Sequence, residues 1–165
     1  MSETQLVVSG IAKPDAYRSL KEQFDAVCEG IDDPIALMST MACILHYGFG
    51  HLWTGFYRRS GPTKLVVGPY QGTLGCMEIE FGRGVCGTAA ANKKTVIVPD
   101  VRLFPGHIAC DARSLSEIVV PVFDHHGDVM AVLDIDSDAT DTFDDEDKRQ
   151  LEQWVARFAQ PPKRG

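Results

Sequence analysis

Two apolar runs separated by the short turn His125-His126-Gly127 constrain this chain more than any other feature: residues 117–124 read EIVVPVFD and residues 128–136 read DVMAVLDID. Strand-like runs joined by so tight a connection pair antiparallel. A second such unit lies upstream, where Trp53–Arg59 and Lys64–Val67 meet at Ser60-Gly61-Pro62. Two hairpins in one short chain point to a central, mostly antiparallel sheet rather than a parallel one. With 165 residues there is enough chain for one hydrophobic core and too little for two. The expectation is therefore a single α+β domain over residues 1–165, with residues 1–13 as a flexible start.

Helical spacing fills the two ends. Pro14-Asp15 opens a helix on which Tyr17, Leu20, Phe24, Val27 and Cys28 recur on one face, and Gly30 stops it. Asp33-Pro34 supplies an N-cap and a first-position proline for a second helix to about Tyr47. That segment, IALMSTMACILHY, is apolar around most of its surface and should be the buried helix. The last helix begins with the acidic turn Asp144–Asp147, which suits the helix dipole. It turns Leu151, Trp154, Val155 and Phe158 inward and ends at Pro161-Pro162. Between the hairpins, MEIEF alternates, a short helix is expected around Cys86–Asn92, and TVIV is a short strand. Residues 99–115 follow neither period. A loop this long in a compact domain is functional or disordered, and Phe104, Ile108 and Leu115 argue for an ordered one. The sheet should thus be flanked by N- and C-terminal helices.

Charge and hydropathy exclude several classes. Lys and Arg number 16 against 23 Asp and Glu, a net charge of −7, which argues against a nucleic-acid surface. No apolar run reaches the roughly 18–20 residues of a membrane span. The start, MSETQLVVSG, lacks the basic flank and apolar stretch of a signal peptide. The expectation is a cytoplasmic protein with no membrane partner, whose five cysteines are held as thiols.

Three motifs invite chemistry. Gly82-Arg83-Gly84-Val85-Cys86-Gly87 fits G-x-G-x-x-G with Asp100 downstream, a superficial dinucleotide fingerprint. The alternating strand before it and the short helix after it disfavour that reading, and a loop turning into a helix N-terminus accounts for the glycines. Asp134, Asp136, Asp138 and Asp145 take the first, third, fifth and twelfth places of a calcium loop, but Ala139 stands where the template needs glycine. Alternation puts Asp134 and Asp136 on one strand face, either solvated or facing a cation. Trp53 and Tyr57 also share a face, as sheet core or as a ligand wall.

The cysteines separate by context. Cys28 and Cys43 lie on apolar helical faces, where a thiol packs as a small hydrophobe. Cys76, Cys86 and Cys110 sit in LGC, GVCG and HIACD, beside glycines or in the long loop. Their spacings are not those of zinc or thioredoxin motifs, although Cys76, Cys86, Cys110 and His107 together could hold zinc. Redox chemistry suits three loop thiols better. A helix N-terminus beside Cys86, or the His107 imidazole beside Cys110, would favour a thiolate.

Several runs then carry a family resemblance. They are Trp53-Thr54-Gly55-Phe56-Tyr57, Gly68-Pro69-Tyr70-Gln71-Gly72, Gly82–Gly87, Gly106-His107-Ile108-Ala109-Cys110-Asp111, Ser116–Pro121 and Val132–Ser137, in order over about 34–158. The chain resembles the free methionine-(R)-sulfoxide reductases, which are built on a GAF domain. It departs from their pattern in Met77-Glu78 after Cys76, where a more apolar pair is expected, and conservatively at Pro69-Tyr70. The resemblance implies a GAF-like fold and thiol-dependent reduction of free L-methionine-(R)-sulfoxide, with no metal or other cofactor. It implies attack by Cys110, resolution by Cys76, a less defined role for Cys86, and thioredoxin as the reductant. It also implies Glu117 as proton donor, Asp134 and Asp136 toward the substrate ammonium or one of them sharing the acid role, and Trp53 and Tyr57 around the methyl-sulfur end. The substrate carboxylate would meet N–H groups of residues 86–88. A homodimer through the terminal helices is expected from the same resemblance. A non-catalytic GAF module that binds a small molecule or senses oxidation is the alternative, and nucleic acid is not an expected partner.

Overall fold

In a computed structural model the described residues are 8–161. Helix α1 (Lys13–Val27) and helix α2 (Pro34–Phe49) are followed by strands β1 (Trp53–Arg59), β2 (Lys64–Gln71) and β3 (Glu78–Glu80). Helix α3 (Gly84–Asn92), strands β4 (Val96–Val98), β5 (Ser116–Phe123) and β6 (Val129–Ser137), and helix α4 (Asp145–Val155) complete the order. The strands form one sheet in the order β3-β2-β1-β6-β5-β4, every neighbouring pair antiparallel. That topology leaves no parallel crossover for a dinucleotide fold, so Gly82–Gly87 is only the turn into α3.

Local signals act where expected. The Asp33 carboxylate accepts from Ala36 N–H at 2.8 Å and Pro34 occupies the first helical turn of α2. Gly50, at φ +70°, terminates α2 two residues later than the sequence suggested, because His46 still receives its N–H. Asp144 caps α4 reciprocally with Asp147, a capping box written in aspartate. Asp147 itself is buried, and the Tyr17 hydroxyl donates to it at 2.8 Å while Lys13 pairs with it, tying α1 to α4.

Alternation along the strands sorts the core into two layers. Phe56 of β1, Ile118, Val120 and Val122 of β5, and Ala131, Leu133 and Ile135 of β6 face α1, α2 and α4. There they meet Leu20, Phe24, Met38, Met41, Leu45, Leu151 and Trp154, all within 1% of complete burial. Each such side chain contributes about 1.5–3 kcal/mol on leaving water. Their neighbours Trp53, Tyr57, Val119 and Val132 face the opposite side, against Val85, Cys86, Ala89 and Ala90 of α3.

Several boundaries differ from the sequence reading. β2 continues through Gly68-Pro69-Tyr70-Gln71, which the glycines and proline had concealed. α3 starts at Gly84, two residues early. α4 gives way to a 3-10 turn over Ala156–Ala159 before the prolines. Val27 lies off the apolar stripe of α1 and is 67% exposed, and Cys43 is only half-buried. Of the first thirteen residues, 1–7 lie outside those described. Val8 is buried and donates to the Gly48 carbonyl at 3.2 Å, so the chain is docked before α1 begins.

Candidate active site

On the α3 side of the sheet the strand register assembles an acidic floor. Glu117 of β5 lies opposite Asp136 of β6, and Asp136 lies opposite Trp53 of β1 on its other edge. Asp134 sits two residues back on the same face, opposite Gly55. Gly55 is required there: a side chain would meet Tyr70 Cβ and the Trp53 ring. The bare position lets Trp53 stack between Tyr57 (ring centroids 5.6 Å apart) and Tyr70 (5.2 Å), an aromatic wall beside the carboxyls. The Trp53 indole N–H is held by the Thr73 carbonyl at 3.0 Å.

Helix α3 closes the opposite side. Gly82 and Gly84 take positive φ (+80° and +59°), which turns the chain sharply into the helix. Gly87 lies directly over the Glu80 carbonyl, where no Cβ fits. Gly87 N–H is already bonded to the Arg83 carbonyl at 3.0 Å, so the free donors are those of residues 84–86, earlier than the 86–88 expected. Such a helix start favours an anion.

Cys86 hangs from this first turn into the floor. Its sulfur, a Glu117 oxygen and an Asp134 oxygen all lie within 4.8 Å of one another. Burial, then the neighbouring carboxylates, push Glu117 and Asp134 well above the usual carboxyl range. Burial raises Asp136 to about 6, opposed by the Ser114 hydroxyl that donates to it at 2.6 Å. Burial and then the charge of Asp134 push the Cys86 thiol up, so it stays a thiol beside the two carboxyls. Asp134 Oδ1 is buried with no protein partner. An acceptor aimed into a pocket in this way suits a cationic group of a ligand.

The long loop forms the rim. His107 Nε2 stands 3.4 Å from Glu117 Oε2. Burial holds that imidazole below its ordinary value despite the pull of Asp136, so it faces Glu117 neutral. Cys110 is joined to Cys76 by a disulfide with Cα atoms 5.6 Å apart. Thr73 hydroxyl donates to Asp111 at 2.7 Å, a second tie between the same two loops. Cys110 is exposed and Cys76 half-buried.

The pocket is lined by Trp53, Tyr57, Cys86, Cys110, Glu117, Asp134 and Asp136 together. Cys76 meets it through the disulfide. The zinc set of three cysteines and His107 is not assembled, because Cys76 and Cys110 are paired and Cys86 points to the carboxyls. Asp138 is exposed and Asp145 begins α4, while Asp134 and Asp136 face α3, so the calcium-loop pattern has no structural counterpart. Sequence reasoning missed Ser114 and Thr73. A lone hydroxyl in a patternless loop carries no signal of its partner.

Comparison with known proteins identifies the fold. The sequence pattern of the GAF domain matches residues 23–160, and the fold is that of this class. The free methionine-R-sulfoxide reductase of Escherichia coli is 41% identical over 147 residues, 88% of each chain. That of Saccharomyces cerevisiae is 38% identical over 151 residues, covering 87% of this chain and 84% of its own. The structure of the Neisseria meningitidis free methionine-R-sulfoxide reductase with its substrate superposes with a TM-score of 0.87 at 40% identity, covering 92% of this chain and 90% of that one. The chain belongs to the free methionine-R-sulfoxide reductase family of GAF-domain proteins, and it is an oxidoreductase.

Proposed function

We propose that this protein reduces free L-methionine-(R)-sulfoxide to methionine through a cysteine sulfenic acid and an intramolecular disulfide. The observation that carries the reading is the Cys76–Cys110 disulfide at the rim of a pocket floored by buried carboxyls. Cys110, as thiolate, attacks the sulfoxide sulfur. The oxygen passes to Cys110 as sulfenic acid, two electrons pass to the substrate sulfur, and methionine leaves. Cys76 then attacks the sulfenic sulfur, expelling water and closing the disulfide. Cys86 is a poor nucleophile by comparison, since burial keeps it a thiol. It packs beside Glu117 and Asp134 on the pocket floor.

Glu117 retains a proton at neutral pH because it is buried, which suits it to protonate the departing oxygen. Asp136 and the unpartnered Asp134 Oδ1 accept the substrate ammonium. The free N–H groups of residues 84–86 take its carboxylate, and Trp53 and Tyr57 enclose the methyl-sulfur end. A pocket that holds both charged ends excludes methionine sulfoxide within a peptide.

The disulfide is reset by a dithiol protein, thioredoxin, which fits a reducing compartment such as the cytoplasm. We also expect a homodimer, supported by exposed Val27, Ile31 and Ile35 along the α1–α2 connection. Thioredoxin-coupled NADPH oxidation with separated epimers is the test. Turnover is expected with the free R epimer and absent with the S epimer and with peptide-bound sulfoxide. Ligand binding without methionine release would instead mark a sensory GAF module.

A further inference from the structure

The disulfide is asymmetric in its surroundings. Cys76 is half-buried and packs against the α3-side core that includes Tyr57. Cys110 lies exposed in the loop between β4 and β5. Exposed apolar side chains gather beside the pair, interspersed with Thr73, Glu78 and Asp111. Nine large hydrophobic side chains are exposed among the described residues, and three of them, Leu74 (82%), Met77 (69%) and Ile108 (37%), stand within two residues of Cys76 or Cys110. They do not belong to one element: Leu74 and Met77 flank Cys76 and Ile108 precedes Cys110. The disulfide and the Thr73–Asp111 hydrogen bond bring them to one place. Ile108 is seated over Gly84, at 3.1 Å from the position a Cβ would take there.

Leu74 and Ile108 also line the mouth of the pocket, while Met77 lies outside it; exposed apolar side chains beside a reducible bond mark a place where another protein docks. We propose that Leu74, Met77 and Ile108 form the docking collar for the dithiol protein that reduces this disulfide, and that its thiolate attacks Cys110 rather than Cys76. This rests on the reductase reading above and assigns its second half-reaction. The partner's first thiolate bonds to Cys110 sulfur, and the Cys76–Cys110 bond breaks with its electron pair on Cys76, which takes a proton. The partner's second thiolate then attacks its own first sulfur, so Cys110 leaves as thiolate and the partner carries away a disulfide. Two electrons move from partner to protein. The nucleophile regenerated last is the one that meets the next substrate, while Cys76 stays packed against Tyr57 throughout.

The test uses the oxidised protein and a thioredoxin whose second cysteine is replaced by serine, which stalls the exchange at the mixed disulfide. Mass-spectrometric mapping is expected to place the adduct on Cys110. An adduct on Cys76, or none, overturns the site of attack. Met77→Glu, which changes an exposed side chain outside the pocket, tests the collar: kcat/KM for thioredoxin is expected to fall about fivefold, with turnover driven by dithiothreitol unchanged. An equal effect on both reductants, or on neither, overturns the collar. Failure of dithiothreitol-driven turnover in the unaltered protein would instead count against the reductase reading itself.

Discussion

At the residue scale the chemistry depends on burying acids without fixed positive partners. No lysine or arginine contributes to the shifts of Glu117, Asp134 and Asp136; burial raises all three, helped by the charge of Asp136 on Glu117 and Asp134 and by that of Asp111 on Asp136. Glu117→Gln should lower kcat about a hundredfold with little effect on KM, the size expected for loss of a general acid, in the thioredoxin-coupled assay. Burial also has a stability consequence. The folded-state pKa of Asp136 is raised to about 6, so its contribution is fully present below the unfolded value near 4 and is lost as pH rises through about 6. Asp136→Asn should therefore be more stable than the parent at pH 8 by about 1–3 kcal/mol and no more stable at pH 4, measured by urea unfolding. Its activity should fall at the same time, since a destabilised site is the functional one. The three loop cysteines and the three acids were visible in the sequence as residue types in suggestive places. The contact of Cys86 with Glu117 and Asp134 was not, because it joins α3 to two strands through packing that no spacing encodes.

At the element scale the glycine-rich turn into α3 is the part with the least tolerance. Gly87 sits against the Glu80 carbonyl, a backbone atom that cannot move aside. Gly87→Ala should destabilise the fold by about 1–3 kcal/mol and raise KM, because the free N–H groups of residues 84–86 move with the helix. Thermal unfolding and steady-state kinetics on one preparation check both effects. Hairpins and helix caps were legible: His125-His126-Gly127 turns between β5 and β6, and Asp33-Pro34 opens α2. β2 was cut short at Val67 because Gly68-Pro69 reads as a breaker, yet pairing with β1 carries the strand on to Gln71. Tertiary pairing overrode local propensity there. The loop of residues 99–115 was rightly expected to be ordered, but its ties to Thr73, Glu117 and Asp136 lie across the sheet and left no trace in the pattern.

At the scale of the whole molecule, one sheet separates stability from chemistry. The face against α1, α2 and α4 is almost purely apolar, while the opposite face carries the pocket and the disulfide. This division follows directly from strand alternation, so it was readable as soon as the strands were placed. Assembly should leave the chemistry untouched. The double change Val27→Glu, Ile31→Glu is expected to convert the proposed dimer to monomers by light scattering while kcat stays within about twofold, since surface changes away from a site have small effects. The most direct measurement is a single turnover: fully reduced protein mixed with the free R epimer, no reductant present, and methionine and disulfides quantified together. One methionine per chain and a Cys76–Cys110 disulfide are expected, with no methionine from Cys110→Ser. Failure to release methionine, or full release by Cys110→Ser, would contradict the proposed mechanism.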